Sequence, residues 1–258
     1  MFKEKIYNIF VGQSGVGKST YSEFIVDNNY RIASSTILKE ELVKRCLEIN
    51  HDNFHKVGME KIMEDPAWQA KQVVERAKNK NFFIFDGPRS PYEIDYFLQN
   101  YSKVNVVGFF APKKLRYQRI IQREKNDMSY LSFIERCADE VLDAGLHNCL
   151  KKANVIVING GDSLEKARVH ANDLKKVLIG ELISDSNDFI NYDKISESDI
   201  IQNFQNLENE LSKFEYAIFN DRQIKDFIQV YLKVEETILK MFREGSLEAN
   251  FFDITGAK

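Results

Sequence analysis

Apolar residues recur along this chain with two spacings, and their alternation outlines the fold. Short β-prone runs occur at Lys5–Val11, Tyr30–Ala33, Asn81–Phe85, Lys103–Phe110 and Asn154–Asn159. The central ones are continuously apolar rather than alternating, as in strands buried on both faces. Between the runs, apolar residues fall three and four apart, the spacing of a helix with one covered face. These stretches run from Tyr21 to about Asn28 and through Ile37, Leu38, Leu42, Val43 and Leu47. Others run from Pro66 to Ala77, Pro91 to Leu98, Lys113 to Lys125, Tyr130 to Lys151 and Ser163 to Ile179. Residues 50–66 are polar and read as irregular. Strand alternating with helix predicts an α/β fold, a three-layer α/β/α arrangement around a five-stranded parallel sheet.

After Glu181 the pattern changes. Ser184–Asp188 reads as a linker, and no strand-like run follows it. Two amphipathic helices are expected instead. The first, from about Glu197 to Ile218, carries Ile200, Ile201, Phe204, Leu207, Leu211 and Phe214 on its apolar face. The second, from about Asp221 to Arg243, carries Ile224, Phe227, Ile228, Tyr231, Leu232, Val234, Ile238 and Leu239. Residues 248–258 read as loosely held. The chain thus divides into an α/β domain over 1–182 and a helical extension over 183–258. Helices of this kind form a packed hairpin or a homodimer surface more often than a catalytic unit.

Charge sharpens that division. The 258 residues carry a net charge of -3, which splits into +5 over residues 1–180 and -8 over the remainder. A mildly basic front part suits phosphorylated small ligands, and an acidic tail argues against nucleic acid as a partner. Cys46, Cys137 and Cys149 are odd in number and lack C-x-x-C spacing, so they read as reduced thiols of a cytoplasmic protein. Lys3, Glu4 and Lys5 interrupt any apolar leader, and no run is long enough to span a membrane. His51 and His55 stand four apart but have no third ligand nearby, so they read as surface histidines.

The chemistry concentrates where the first strand gives way to the first helix. Gly12, Gln13, Ser14, Gly15, Val16, Gly17, Lys18, Ser19 and Thr20 match G-x-x-x-x-G-K-[ST] in the strand–loop–helix context that the pattern requires. Glycines let backbone N–H groups converge on phosphate oxygens, and the helix N-terminus adds positive potential. Lys18 is expected on the β- and γ-phosphates of a nucleoside triphosphate, and Ser19 on Mg²⁺. The strand ending at Phe85 leads into Asp86-Gly87-Pro88-Arg89. No glutamate follows Asp86 to orient a hydrolytic water. Arg89, at the mouth of the sheet, suits a second phosphate-bearing molecule. A guanine-recognition N-K-x-D motif is also missing: Asn159-Gly160-Gly161-Asp162 lacks its lysine.

At these residues the chain resembles the P-loop nucleoside monophosphate kinase-like superfamily. Phe85-Asp86-Gly87-Pro88-Arg89 is similar to the D-G-F-P-R motif of nucleoside monophosphate kinases, one residue shorter. Arg31-Ile32-Ala33-Ser34-Ser35-Thr36-Ile37-Leu38-Lys39 resembles the I-S-T-G-D-L-L-R stretch of adenylate kinases, with Lys39 in place of the arginine. From Val104 onward the chain is more similar to dephospho-CoA kinases and their archaeal relatives, through Ala111-Pro112, Arg119, Arg123 and the strand Ala153–Asn159 followed by Gly160, Gly161, Ser163 and Leu164. The resemblances cover residues 5–180, and the tail matches none of these families.

The resemblance implies phosphoryl transfer from ATP with Mg²⁺. Lys18, Asp86, Arg119 and Arg123 would be catalytic, and Ser19 and Asp86 would hold the metal. Lys39, Arg89 and Arg136 would bind a nucleotide-like acceptor, and a short lid around 124–140 would exclude water. A (deoxy)nucleoside monophosphate is the first acceptor and dephospho-CoA the second, although Ala33-Ser34-Ser35-Thr36 offers no carboxylate where the latter family has one. A different class of function stays open: a binding module in which nucleotide switches the helical tail between partners.

Overall fold

The computed structural model describes residues 5–125, 127–181, 200–219 and 222–247. Strand β1 (Ile6–Val11) leads into α1 (Lys18–Ile25), and β2 (Arg31–Ala33) into α2 (Ser34–Lys44), α3 (His51–Glu64) and α4 (Trp68–Arg76). Strand β3 (Phe82–Asp86) precedes α5 (Pro91–Asn100), and β4 (Val104–Phe110) precedes α6 (Lys113–Glu124) and α7 (Tyr130–Ala138). A π-helical turn over Asp139–Asp143 and the short α8 (Leu146–Leu150) follow, then β5 (Val155–Asn159) and α9 (Leu164–Leu178). The described tail holds α10 (Ile200–Lys213), β6 (Tyr216–Phe219) and α11 (Arg222–Arg243).

The sheet runs β2-β3-β1-β4-β5-β6. Its first five strands are parallel, as the apolar runs predict. Alternate residues of each central strand enter opposite cores. Ile9, Phe85, Val106 and Ile156 join the larger cluster with α4, α5, α7, α10 and α11. Phe10, Ile84, Val107 and Val157 join the smaller one with α1 and α9. Two covered faces explain why these strands show no polar alternation.

The sequence pattern predicts five strands and a wholly helical tail, and the structure corrects both. The helix expected to reach Ile218 ends at Lys213, and Tyr216–Phe219 forms a sixth strand, antiparallel to β5. Phe219 opposes Ile156, and Tyr216 opposes Asn159. The partner strand permits this approach because two glycines follow it. A Cβ on Gly160 would collide with the Phe214 carbonyl oxygen, and one on Gly161 would lie 2.5 Å from the Tyr216 ring. Four residues are too few to separate a period of two from a helical period, so only the edge of β5 decides the conformation. Phe204, Leu207 and Leu211 of α10 and Tyr231, Leu232, Ile238 and Leu239 of α11 are buried in the chain's own core.

Two further expectations are corrected. Residues 51–64, read as irregular, form α3. Asn50 caps it by accepting from the Asn53 N–H at 2.9 Å, and Val57 packs on Leu38 and Leu42 of α2. Val57 and the half-buried Phe54 are what α3 contributes to that cluster, so its covered face is narrow and the apolar signal is faint. The continuous helix expected over 130–151 is broken after Asp143. Gly145 takes a left-handed φ of +65° and starts α8, while Arg243 of α11 clamps Asp139 and Asp143 at 2.7 Å each.

Cys46, Cys137 and Cys149 are all free thiols. Among the described residues no helix is long and apolar enough to cross a membrane, and no His/Cys/Asp/Glu cluster forms a metal cage. The linker expected at 184–188, the start of the helix expected at Glu197, and residues 248–258 lie outside the described residues. So do the side chains of His51, His55, Ile200, Ile201, Ile224 and Phe227.

Phe219 is 1% exposed and meets Phe214 edge-on at 5.6 Å between ring centroids. Phe219→Ala is therefore expected to destabilise the protein by about 3–5 kcal/mol. Urea unfolding followed at Trp68, on the far part of the same core, should record the whole loss in a single transition. A loss under about 1 kcal/mol would contradict the docking of β6.

Candidate active site

The loop from Gly12 to Thr20 turns directly from β1 into α1. Gly17, at φ +96°, is the last residue before the helix, a left-handed conformation that costs glycine little. Gly15, at φ +83°, lies against α6 so closely that a Cβ would meet the Arg116 carbonyl oxygen at 2.7 Å. Parallel pairing of β1 with β3 sets Phe10 opposite Asp86 and brings the Asp86 carboxylate to the loop. There Ser19 Oγ donates to Asp86 Oδ2 at 3.0 Å. A hydroxyl and a carboxylate, both hard oxygen donors side by side, fit a Mg²⁺ ion.

Lys18 bends back over the loop, its Nζ donating to the carbonyls of Gly12 at 2.6 Å and Gln13 at 3.1 Å. Burial lowers its pKa, opposed by the nearby Asp86 and Glu140 carboxylates. Asp86 is 5% exposed and is neutralised by Arg31 of β2, whose Nη2 and Nε reach Oδ2 at 2.7 and 3.2 Å. Arg31 also pairs with Glu23 of α1 at 2.8 Å.

Two clefts meet at this loop and share Ser14, Lys18 and Ser19. One is lined by Arg31, Ser34, Asp86, Arg89 and Glu140. The other is lined by Arg119, Arg123, Asn159, Gly161, Ser163 and Tyr216. The loop residues, Asp86 and Arg89 therefore come together. Arg119 and Arg123 line the second cleft in different states. Arg119 is anchored, Nη2 donating to the Gly161 carbonyl and Nη1 to the Gly15 carbonyl at 3.3 Å. Arg123 is exposed and pairs with Glu124 at 2.7 Å. Arg136 crosses from α7 to Glu124 at 3.0 Å and to Ser14 Oγ at 3.4 Å. Lys39 stands on the exposed face of α2 and lines neither cleft.

Four site residues were not singled out by sequence reasoning. Arg31 lay inside the adenylate kinase-like stretch with no role assigned. Arg116 lay in the helix read over Lys113 to Lys125 with no role assigned, yet it is 1% exposed and bonded to Gln13 and Ser14. Glu140 comes from the π-helical turn, where its carboxylate accepts from the Ser14 N–H at 2.9 Å and from the Ser14 hydroxyl. Tyr216 arrives with β6, its hydroxyl donating to the Ser163 carbonyl at 2.7 Å. A cue existed for Arg116, three residues before Arg119 and hence on a neighbouring helical position. None existed for the other three.

No protein-family model matches the chain. By sequence it is similar to archaeal proteins described only as UPF0200. It is 28% identical over 176 residues to one from Methanococcus vannielii, covering 65% of this chain and 94% of the relative. A relative from Aeropyrum pernix is 25% identical, covering 65% and 91% respectively. In this chain the glycine loop joins β1 to α1 at the centre of a mostly parallel α/β sheet. Among solved structures, shikimate kinase from Acinetobacter baumannii with shikimate aligns at a TM-score of 0.44 and 17% identity, over 70% of this chain and 97% of that one. TT1252 from Thermus thermophilus aligns at 0.43 and 18%, over 70% and 100%.

The turn that carries Arg89 is fastened by a buried acid. Ser90 and Glu93 form a capping box at the start of α5, and the Glu93 carboxylate also accepts from the Arg89 N–H at 2.8 Å. Burial pushes the Glu93 carboxyl up from 4.5 to about 7, against backbone N–H groups that favour its charge. The folded state thus keeps a proton that the unfolded chain releases. The corresponding stability is full below about pH 4.5 and is lost as pH rises through about 7. From that shift the loss is about 3 kcal/mol. Urea midpoints taken from about pH 4.5 to 8 should fall for the native protein relative to Glu93→Gln, which keeps the cap without the charge. Parallel profiles would refute the assignment.

Proposed function

We propose that the chain transfers the γ-phosphoryl group of ATP to a small, phosphate-bearing acceptor, with a nucleoside or deoxynucleoside monophosphate as the first candidate. The observation that carries this reading is the pair of clefts sharing Ser14, Lys18 and Ser19. Transfer needs a donor on one side of the phosphate loop and an acceptor on the other, held in line. ATP occupies the cleft of Arg119, Gly161 and Tyr216, with its phosphates along the loop. The acceptor occupies the cleft of Arg31 and Arg89, where planar guanidinium groups suit a phosphate through paired hydrogen bonds.

In the reaction an acceptor oxygen attacks the γ-phosphorus as its bond to ADP breaks. Lys18 leaves the Gly12 and Gln13 carbonyls and follows the transferring group, while loop N–H groups hold the β-phosphate. Ser19 and Asp86 would hold Mg²⁺, which would neutralise phosphate charge. Arg136 sits on the segment around 124–140, just beyond Arg123, and closure of that segment would exclude water from the transfer. A cytoplasmic location fits an ATP-consuming enzyme with free thiols.

One observation favours a second acceptor class. Glu140 places a carboxylate in the acceptor cleft beside Ser14. For a hydroxyl acceptor, as on dephospho-CoA, it would take the hydroxyl proton as the new O–P bond forms.

An ADP-release screen over nucleoside monophosphates and dephospho-CoA separates these readings. One acceptor is expected to raise turnover strongly. Turnover that ignores every acceptor would overturn the kinase reading, and tight ATP binding without transfer would favour the nucleotide-switched module. With the acceptor found, Arg89→Ala should cost about 2–4 kcal/mol in kcat/KM for it while ATP affinity stays within about threefold. Lys18→Ala should weaken transfer to all acceptors alike.

A further inference from the structure

The phosphate loop is held from behind by side chains that grip three successive carbonyls. Arg116 Nε donates to the Ser14 oxygen at 3.0 Å, Arg119 Nη1 to the Gly15 oxygen at 3.3 Å, and Asn159 Nδ2 to the Val16 oxygen at 2.9 Å. A trans peptide is planar, with its C=O and N–H pointing opposite ways. Pinning those carbonyls therefore aims the N–H groups of Gly15, Val16 and Gly17 away from α6 and β5, to the side where a phosphate would lie.

Arg116 is in turn held by the C-terminal helix. Glu235 of α11 is fully buried. Its Oε1 takes the ammonium of Lys113, lies 3.5 Å from the Gln13 Nε2 donor and stands 4.0 Å from Arg116 Nη1. Its Oε2 lies 3.0 Å from His147 Nε2. Arg116 Nη1 also donates to Gln13 Oε1 at 2.5 Å, so Gln13 bridges the two charges. Glu208 of α10 completes the cluster, accepting from the Lys113 N–H at 2.9 Å and the Tyr231 hydroxyl at 2.5 Å. Buried ion pairs seldom stabilise more than apolar residues of the same volume. Here the hydrogen bonds have a directional end point, the backbone of the phosphate loop.

We infer that Glu235 is a positioning residue for nucleotide binding. Through Arg116 and Gln13 it fixes the Ser14–Gly15 peptide, making the C-terminal helix a working part of the phosphate site. This rests on the reading of the loop as an ATP site, and it adds a residue 222 positions beyond Gln13 that touches no ligand.

The test removes Glu235 together with the cation it pairs with. Lys113→Met with Glu235→Gln deletes one cation and one anion together, so the net charge of the cluster is unchanged. Two quantities are then compared with the unaltered chain: ATP affinity by calorimetry, and amide exchange at Gly15, Val16 and Gly17 without nucleotide. We expect ATP binding weaker by about tenfold or more, and loop exchange faster by a similar factor in a folded protein. A purely structural role would lower the unfolding midpoint and leave both within about twofold, and that result overturns the inference. Where the double variant does not fold, Gln13→Met, which removes only the bridging side chain, is measured by the same two readouts, with the same results expected and the same result overturning the inference. An unaltered chain that binds no ATP would defeat the kinase reading, and the exchange comparison would still decide the role of Glu235.

Discussion

Charge taken out of water has to be matched, and that constraint governs the centre of this protein. Lys113, Arg116, Glu208 and Glu235 are each less than a tenth exposed. Burial alone would raise the Glu235 carboxyl, yet Lys113, His147 and Arg116 outweigh it and hold that group far below the usual carboxylate range. Removing one member strands its partner at a cost of several kcal/mol, whereas the intact set is close to neutral. The two tail helices that supply the acids must therefore dock in one register against α6, and α6 must face the phosphate loop in one orientation. The position of the loop follows from that chain of contacts.

The same rule operates on a smaller scale at the mouth of the sheet. Asp86 ends a buried strand beside the loop, and Arg31 of the neighbouring strand neutralises it at 2.7 Å. The carboxylate is shared between the Arg31 guanidinium and the Ser19 hydroxyl. Parallel strands converge at this edge with their helices starting above it, which is why α/β sheets bind ligands there. The arrangement makes the site a meeting point of two clefts rather than one pocket.

Much of this was legible in the residues. Five short β-prone runs announced five parallel strands, the central ones continuously apolar because a strand covered on both faces has no polar side to alternate with. The run Gly12–Thr20 announced the loop, since few sequences place glycines and a lysine so. Asp86 and Arg89 could be read because they stand at and just past a strand end, where local sequence and position in the sheet coincide. Residues 51–64 were misread because α3 covers a narrow face, and the break at Gly145 because an apolar spacing continues through it. Arg119 and Arg123, equivalent on a helical wheel, differ in the structure: one is pinned to Gly161 and the other open to solvent.

Local sequence by itself determined the elements whose signal is carried within a dozen residues: the parallel strands, the glycine loop, the acid that ends β3 and the arginine just past it. Only the tertiary structure decided what depends on a distant partner. Tyr216–Phe219 became a strand because β5 leaves an edge to pair with and is followed by Gly160 and Gly161. Arg116 became the support of the loop rather than a surface charge because Glu235, more than a hundred residues away, is buried beside it. Glu140 reached Ser14 because a π-helical turn redirects it. In each case the deciding energy is a pairing or desolvation between segments far apart in sequence, and no pattern within one segment records it.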